Sequence, residues 1–425
     1  MITVAEHLEN ILSQVSRGAT VLLPVPGAHG LVTVADVVSR ADLPRFDNSS
    51  MDGYAVRRED LIGVTAETPR LIPVVGDIAA GDAPAHQHVE GKAWRIMTGA
   101  PMPEGADAVV PVEDTDGHVR EAQFRAEPSE GANIRRAGED VRVGDVVVPA
   151  GTRLGAAQIA ALISAGVQEV EVVSPVRVAI LSTGDELVQF GEEVGEGQIV
   201  DSNGPMLEAL VREAGFYPVF VGNLPDDEAV TRKEIRRHLD YADAIITTGG
   251  VSMGAYDIVK KVLAGEGSME FLQVQMQPGK PQGFGLLGKR NVPVFTLPGN
   301  PVSALVSFEV FVRPALLKVA GRSESSDTTT GYAMTSWRTS PERETYTRVR
   351  LSRDATGAYA VTPGGAGSHL LGGLAMADAL AVSHADDDQV VAGSEVQLHF
   401  LRPRAEVDAR LDAQGQASGE KGEGR

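Results

Sequence analysis

The stretch VRVAILSTGDE, residues 176–186, joins a buried-strand pattern to an abrupt polar end. Its apolar run is short and rich in β-branched residues, as expected for a strand of a parallel sheet. Downstream, strand patterns such as ADAIITT and VPVFTLP take turns with helical patterns at 204–214, 226–241 and 302–321. This alternation predicts an α/β domain with a mostly parallel sheet, which we assign to residues 176–324.

The rest of the chain divides into regions of different pattern. Short apolar runs broken by Gly, Pro and Asp indicate a β-rich domain, and two amphipathic helical patterns indicate an elongated connecting domain. Segments in which apolar and polar residues alternate, as in half-exposed strands, indicate a small, barrel-like C-terminal β domain. The last stretch is polar and Gly-rich, which indicates disorder. The assigned ranges are 46–142 for the β-rich domain, 1–45 with 143–175 for the connecting domain, 325–405 for the C-terminal β domain and 406–425 for the disordered tail.

Composition limits the kinds of molecule that the protein is expected to bind. The 425 residues carry 38 basic and 58 acidic side chains, a net charge of −20, which argues against nucleic-acid or anionic-membrane partners. No apolar run approaches the length of a membrane span, and charges interrupt the N-terminal pattern, so we expect no signal peptide. The chain has no cysteine, which excludes disulfides, Cys-type metal sites and a thiolate nucleophile. We expect a cytoplasmic protein.

Glycine follows three of the predicted strands, at the points where ligands bind in open α/β sheets. The three ends are STGDE with Gly184 and Glu186, TTGG with Gly249 and Gly250, and LPGNP with Gly299 and Pro301. Each glycine alone is compatible with a tight turn, but together they predict backbone amides that approach an anion closely. Neither a Walker A nor a GxGxxG pattern occurs, so this anion site is of another kind.

Two further motifs supply charge, and each has a structural interpretation beside the functional one. Lys280, in QPGKPQG, is either a solvent-facing lysine in a turn or the positive partner of a bound anion. NIRRAGED, with Arg135 and Asp140, is either a salt-bridged turn or an anion and metal locus. The pair His86 and His88 in AHQHVE is better explained as exposed loop histidines than as metal ligands.

Eight motifs in order carry a family resemblance: FDNSSMDGYAVR, RIMTGAPMPEGADAVV, NIRRAGEDV, STGDEL, SNGPML, TTGGVSMGAYD, PGKP and LPGNPVSALVSFEVFVRP. Together they span roughly Val4 to Arg404. The chain resembles the molybdopterin molybdenumtransferases, the MoeA-type family that includes the gephyrin E domain. The resemblance implies an elongated homodimer of four-domain subunits, whose three-layer molybdopterin-binding α/β domain is similar to that of molybdopterin adenylyltransferases.

The resemblance also implies a reaction. Adenylylated molybdopterin and molybdate react with Mg²⁺ present, molybdenum joins the dithiolene sulfurs, and AMP leaves. The implied partners are an upstream adenylyltransferase and downstream molybdoenzymes. Two alternatives remain open: an enzyme like the adenylyltransferase, which acts on nucleotide and pterin, and a non-catalytic scaffold paralogue.

Carried over by position, the resemblance implies a set of site residues. The implied catalytic residues are Asp52, Asp140, Asp257 and Lys280, of which the three aspartates are also the metal ligands. The implied substrate-binding residues are Thr98, Arg135, Glu186, Gly249, Gly250, Ser252, Pro298, Pro301 and Ser368. In this interpretation Asn48, Ser49 and Ser50 hold the turn that presents Asp52, and a buried Met51 anchors it. Where family members often carry a basic group, this chain has Gln277, so we expect molybdate capture to rely on Lys280 and on Arg348 or Arg350.

Overall fold

The structure is a computed structural model that describes residues 1–83, 85–250, 258–323, 329–365 and 367–419. Contacts divide the chain into two compact units, Met1–Thr20 with Val173–Arg425, and Val21–Val172. Of the described helices, none is long and apolar enough to cross a membrane.

A six-stranded sheet forms the centre of the larger unit. Its order is Tyr217–Leu224, Arg177–Thr183, Ala244–Thr248, Val292–Leu297, Pro281–Leu287 and Glu270–Gln273. The first four strands are parallel, and Pro281–Leu287 runs antiparallel to both of its neighbours. The helices of this region are Asn203–Glu213, Glu228–Leu239, Ile258–Leu263, Pro301–Ser307 and Arg313–Val319, the last two joined by a π-helical turn, Phe308–Val312. This arrangement confirms the predicted α/β fold.

Both faces of this sheet are buried, because successive side chains of a strand point to opposite faces. Val178 and Ile180 pack with the helices Asn203–Glu213 and Arg313–Val319. Ala179 and Leu181 pack with the helices on the other face. Three layers result, helix, sheet and helix. A short parallel pair, Leu187–Val188 with Ile199–Val200, extends from the end of the strand Arg177–Thr183.

The N-terminal helix Val4–Gln14 belongs to the larger unit. Its capping box between Thr3 and Glu6 is formed, but its apolar face lies on the α/β core, where the rings of His7 and Phe311 are 4.8 Å apart. The prediction that residues 1–45 join 143–175 is therefore wrong for residues 1–20. An amphipathic pattern predicts that one face of a helix is buried, but it does not predict which part of the protein covers that face. The predicted bounds of the β-rich, α/β and C-terminal β domains remain predictions.

The smaller unit is rich in β structure. Its five-stranded sheet has the order Ala108–Pro111, Gly53–Val56, Ala93–Ile96, Arg70–Ile78 and Glu121–Phe124. Paired short strands are Thr20–Pro24 with Glu169–Val173, Val37–Val38 with Val146–Val148, and Asn48–Ser49 with Ile134–Arg135. Its helices are Ala156–Ser164 and the 3₁₀ turns Val25–Ala28, Arg58–Leu61 and Val112–Asp114. Buried Tyr54 and Phe124 meet edge to face in the sheet core.

Gly53 begins a buried strand of this sheet, where a side chain would collide with the neighbouring backbone. A Cβ on Gly53 would lie 2.9 Å from the carbonyl carbon of Val110, inside van der Waals contact. Since backbone cannot move aside as a side chain can, we expect Gly53→Ala to lower the free energy of unfolding of this unit by about 3 kcal/mol. Urea unfolding followed by the fluorescence of Trp94, in a Trp337→Phe background, measures this change.

Gly27→Ala is the matched control for this prediction. A Cβ on Gly27 meets nothing within 4 Å, so we expect a change of less than about 1 kcal/mol. Equal unfolding midpoints for the two variants would contradict the close approach at Gly53.

The C-terminal region closes into a five-stranded barrel, which confirms the barrel-like prediction. Around the barrel the strands are Glu344–Arg353, Tyr359–Pro363, Thr329–Ala333, Glu395–Phe400 and Ala379–Ser383, which pairs back to the first. Met276–Gln277 pairs with the start of Glu344–Arg353, and Trp337–Arg338 pairs with Gln389–Val390. A short helix, Leu371–Ala375, lies between two of the barrel strands.

The predicted disorder of residues 406–425 is wrong where the structure describes them. Residues Arg404–Gly419 form a helix, and Val407 and Leu411, one turn apart, are buried in the barrel core. Asp408 accepts a 2.5 Å ion pair from Arg353, and Arg410 pairs with Asp378 at 2.8 Å. Two apolar residues at i and i+4 suffice here because the barrel supplies the surface that they cover. Residues 420–425 lie outside the described residues.

Candidate functional site

The carboxyl edge of the parallel strands brings the predicted glycine loops together. Ser182, Thr248 and Leu297 are aligned across neighbouring strands, so the chain turns at the same level after each. The amide of Gly249 donates to the carbonyl of Leu297 at 3.2 Å. The hydroxyl of Thr248 donates to the carbonyl of Pro298, also at 3.2 Å. Two of the three loops are therefore bonded directly to each other.

Gly249 and Gly250 form a stretch of bare backbone at this edge. Their φ angles are +90° and +65°, in the region that favours glycine. A Cβ on Gly249 would lie 2.5 Å from the carbonyl oxygen of Thr183, and one on Gly299 would lie 3.6 Å from the Cα of Gly249. The loops therefore pack backbone against backbone, and only glycine fits at Gly249.

A buried polar network beneath the loops was missed by sequence reasoning. The Asn203 side-chain amide donates to the Thr248 hydroxyl at 3.0 Å and to the Gly299 carbonyl at 2.7 Å. Asp201 accepts from the amides of Asn203 and Gly204, both at 3.0 Å. Asn203 belongs to the motif SNGPML. The polar side chains at the start of an otherwise apolar helix were the signal from which this network could have been inferred. The network holds the loops in place before any ligand arrives.

Lys280 lies at the same edge, because the strand that it precedes is antiparallel. Gly283 pairs with Thr296, so the start of Pro281–Leu287 lies beside the carboxyl end of Val292–Leu297. Buried Gln282 holds the Lys280 turn by donating to the Gly279 carbonyl and the Ser307 hydroxyl, both at 2.6 Å. Lys280 is half-buried, and no described carboxylate pairs with its ammonium group. Its charge is available to an anion.

Glu186, Pro301 and Ser368 also border these loops. Glu186 is exposed, and its carboxyl carbon would be 2.7 Å from a Cβ on Gly184, so its side chain folds back over that glycine. Pro301 is the first residue of the helix that follows Asn300. Ser368 accepts a 3.0 Å hydrogen bond from the Asn300 side chain, and its carbonyl accepts from the Val302 amide at 3.2 Å. The loop before the barrel's short helix thus docks on LPGNP.

In the smaller unit, the structure joins Asp52 to Thr98, two site residues predicted from separate motifs. One carboxylate oxygen of Asp52 accepts from the Thr98 amide at 2.7 Å and from its hydroxyl at 2.8 Å. The hydrogen bond from the Thr98 amide has the largest effect and lowers the pKa of the Asp52 carboxyl below its usual range. The bond from the Thr98 hydroxyl lowers this pKa further, and the charge of Arg95 has a smaller effect in the same direction. Among the described residues, none donates to the second oxygen of this exposed carboxylate.

The turn before Asp52 is held by Asn48 and Ser49 as predicted, but Met51 does not anchor it. Asn48 and Ser49 are buried, whereas Met51 is 38% exposed, so the prediction of a buried Met51 is wrong. Ser49 donates to the carbonyl of Met51 at 2.6 Å and accepts from its amide at 3.3 Å. Short polar side chains can satisfy the buried main chain of a turn, which a methionine cannot do.

Each of the two interpretations of NIRRAGED accounts for part of the motif: the salt-bridged turn for Arg136, and the ligand site for Arg135 and Asp140. Arg136 pairs with Asp47 at 2.7 Å, and its amide donates to Glu139 at 2.7 Å, which is a salt-bridged turn. Burial alone would raise the pKa of Asp47, but hydrogen bonds from Ala137 and Arg136 hold it below its usual range. Arg135 and Asp140 are exposed, and no described side chain pairs with either. They are the part of the motif left for a ligand.

Of the two arginines expected to capture molybdate in place of a basic group at Gln277, one is buried and the other is exposed. Arg348 is 3% exposed and donates to the carbonyls of Leu370, Gly365 and Gly367. The expectation that Arg348 captures molybdate is therefore wrong, because its guanidinium is used to hold the loop. Arg350 is exposed. Arg343, which sequence reasoning missed, donates to the side chain of Gln277 at 3.2 Å.

The remaining predicted residues and the histidine pair add no further site among the residues that the structure describes. Asp257 and Ser252 lie outside the described residues. Within the described ranges, no cluster of three or more His, Asp and Glu residues could hold a metal by itself. His86 stacks on Trp94, and the ring of His88 is 2% exposed and lies 3.3 Å from Asp60. The ring of His88 is thus buried and anchors its loop, so the expected exposure of this histidine is wrong.

Comparison with known proteins covers almost the whole chain. Residues 2–166 match the MoeA N-terminal region (domain I and II), residues 179–318 a probable molybdopterin binding domain, and residues 330–401 the MoeA C-terminal region (domain IV). Molybdopterin molybdenumtransferase 2 of Mycobacterium tuberculosis is 41% identical over 407 residues, which is 94% of this chain and 100% of that protein. The chain belongs to the molybdopterin molybdenumtransferase family. It is therefore an enzyme of molybdenum cofactor biosynthesis.

Other members of the molybdopterin molybdenumtransferase family show how far the likeness extends. The Nostoc sp. protein is 39% identical over 308 residues, 72% of this chain and 71% of that protein. The crystal structure of the molybdopterin biosynthesis MoeA protein from Pyrococcus horikosii has a TM-score of 0.79 at 29% identity, covering 95% of this chain and 99% of that one. The family resemblance of the motifs is confirmed.

Proposed function

We propose that this transferase joins molybdate to the dithiolene of adenylylated molybdopterin and releases AMP, giving the molybdenum cofactor. The observation that carries the proposal is the carboxyl edge of the α/β sheet, where the backbone of Gly249 and Gly250 lies at the same edge as Lys280, whose ammonium group pairs with none of the described carboxylates. A pterin with a phosphate bridge is a polyanion, which needs main-chain donors and a countercharge. In a chain of net charge −20, such a site must be local.

In this proposal each site residue of the larger unit has a defined task. Gly250 presents its main-chain amide to phosphate, Gly249 turns the chain there through its hydrogen bond to Leu297, and Lys280 neutralises the phosphate charge. Pro298 and Pro301 shape the LPGNP loop, and Ser368 supports it through Asn300. Glu186, which is exposed beside Gly184, keeps its proposed role near the pterin or phosphate. Ser252 and Asp257 keep their proposed roles from the family resemblance.

Mg²⁺ is the proposed cofactor, and the described donors fit it. Mg²⁺ prefers hard oxygen ligands and is commonly bound by one or two carboxylates together with substrate phosphates and water. Asp52 offers the carboxylate oxygen that is not bonded to Thr98, and Asp140 is exposed. Mg²⁺ would supply positive charge to the phosphates when bound. Thr98 orients Asp52 for this role, and Arg135 supplies further positive charge from the same unit.

The test of the proposed reaction is AMP release by the purified protein from adenylylated molybdopterin with Mg²⁺, with and without molybdate. We expect molybdate to stimulate release and Mg²⁺ removal to abolish it. Molybdate-independent release, or synthesis of adenylylated molybdopterin from ATP and molybdopterin, would contradict the proposal. No reaction at all with bound pterin would favour a scaffold paralogue.

We propose a homodimer, supported by an apolar patch on the smaller unit. Val38 and Val146 are directly paired and are 44% and 49% exposed, and nearby in sequence Val143 is 62% exposed. Exposed apolar patches of this kind mark protein interfaces, and a second copy of the chain is the occupant that the family resemblance implies. We propose a cytoplasmic location, with the adenylyltransferase and molybdoenzymes as further partners, since a chain without cysteine suits a reducing compartment.

Val146→Glu is expected to shift the protein from dimer to monomer, because a carboxylate would be buried without a partner in the interface. Sedimentation velocity at micromolar concentration measures the shift. Leu71→Glu is the matched control, since Leu71 is also an exposed strand residue of this unit, 57% exposed. A dimer that survives Val146→Glu, or dissociates equally with both changes, would show that the patch is not the interface.

A further inference from the structure

A cavity lies in the α/β domain, away from the glycine loops. Its volume is about 200 Å³, and its apolar walls come from Ile235, Leu239, Val262, Leu263 and Leu287. Leu287 ends the strand that begins just after Lys280. Because one strand connects the two positions, the cavity lies at the opposite edge of the sheet from the candidate site. It is therefore a separate feature of this domain.

Three charged side chains line the same cavity. Arg232 and Arg236 share one carboxylate, that of Glu266, and Arg236 is the more distant partner at 3.6 Å. Two guanidinium groups and one carboxylate leave one positive charge in excess. Arg236 is 66% exposed, so its guanidinium can turn toward a ligand at little cost. An apolar cavity with a net positive lining suits a ligand with an apolar body and one negative group.

We propose that this cavity binds a small monocarboxylic acid whose body is about one ring in size. A cavity of about 150 Å³ with apolar walls is large enough for benzene, so the volume here holds a ring and its carboxylate. Arg236 donates to the carboxylate, and Leu239 and Val262 cover the ring. The site is independent of the reaction proposed above.

The cavity also touches the helix that follows the glycine loop. Val262 and Leu263 are the last residues of the helix Ile258–Leu263. At the other end of this helix, the Lys260 amide donates to the Gly250 carbonyl at 3.4 Å, and a Cγ of Val259 lies against Gly250. A ligand that packs on Val262 therefore stabilises the helix that supports Gly250.

Benzoate is the probe for this site, and ligand-observed NMR titration of the full chain measures its binding. We expect saturable binding with Kd of about 1 mM or below. Arg236→Gln is expected to weaken it by about tenfold, the value of one charged hydrogen bond. Leu239→Trp, which fills the cavity, is expected to abolish it. Arg237→Gln is the matched control, because Arg237 is the next residue on the helix and pairs with Glu234 instead.

Three results would overturn the proposal. Benzyl alcohol that binds as tightly as benzoate would exclude recognition of the carboxylate. Unchanged binding in both Arg236→Gln and Leu239→Trp, with normal thermal unfolding, would exclude the cavity. Benzoate should also slow amide hydrogen exchange in residues 258–263, and protection confined to another part of the chain would place the ligand elsewhere. None of these readouts depends on transferase activity, so they remain valid if the proposed reaction fails.

Discussion

Asp52→Asn is expected to reduce molybdate-stimulated AMP release by at least about 100-fold, the usual cost of losing one preorganised electrostatic contact in an active site. The substitution keeps the shape of the side chain and its hydrogen bonds from Thr98 in outline, but removes the negative charge. Asp52 is exposed and lies at the end of a turn whose support comes from Ser49 and Asn48. We therefore expect the fold to survive. Initial rates at saturating Mg²⁺, together with thermal unfolding, measure both effects.

Asp116→Asn is the matched control for Asp52. Asp116 belongs to the same unit, and its carboxylate also accepts two hydrogen bonds, in this case both from backbone amides, those of His118 and Gln123. Burial alone would raise its pKa, but these bonds hold the pKa below its usual range. We expect an unchanged rate, since no motif assigns Asp116 a role. Equal loss of activity in both variants would show that the effect comes from the unit's stability rather than from the Asp52 charge.

The pH dependence of the rate follows from the direction of the Asp52 shift. Its pKa is lowered from the usual 3.8 by Thr98, so the carboxylate loses its charge only as pH falls below that value. Titration of Asp52 should therefore leave the rate unaffected between about pH 5 and 8. Thr98→Ala removes the hydroxyl donor and keeps the main-chain one, so it should raise the pKa in NMR titration and reduce the rate less than Asp52→Asn.

Lys280→Met is expected to weaken binding of adenylylated molybdopterin by about 10- to 100-fold, because a charged hydrogen bond contributes about 1.5–3 kcal/mol. Methionine keeps most of the length of the side chain and removes the ammonium group. Gln282 holds the surrounding turn through the Gly279 carbonyl and the Ser307 hydroxyl, so the backbone should stay in place. Equilibrium binding of the pterin, measured by its fluorescence, tests this prediction separately from turnover.

Lys289→Met is the matched control, because the two lysines flank one strand. Lys280 precedes Pro281–Leu287 at the carboxyl edge of the sheet, and exposed Lys289 follows it at the opposite edge. Both substitutions change the net charge equally, so only local contact distinguishes them. Lys280→Arg should restore most of the affinity. Equal weakening by Lys280→Met and Lys289→Met would reduce the role of Lys280 to long-range attraction.

Several features of this protein were determined by the sequence itself, because they depend on local patterns. Alternating strands and helices specified the three-layer domain, since each period buries one face of an element. Thr3 and Glu6 specified the capping box, which depends only on residues three apart. The glycines after three strands also predicted where the backbone would be bare, and Gly249 and Gly250 adopt positive φ angles as such loops require.

Other features were decided only by the tertiary structure, because they depend on residues far apart in the chain. The apolar face of Val4–Gln14 predicted burial, yet only the assembled α/β core determines that it packs on Arg313–Val319. Arg348 had the charge expected of an anion ligand, but burial among carbonyls uses that charge within the protein. Val407 and Leu411 order a polar tail because the barrel offers them a surface. A pattern along the chain specifies which side chains leave water, whereas the partner they meet depends on how the whole chain packs.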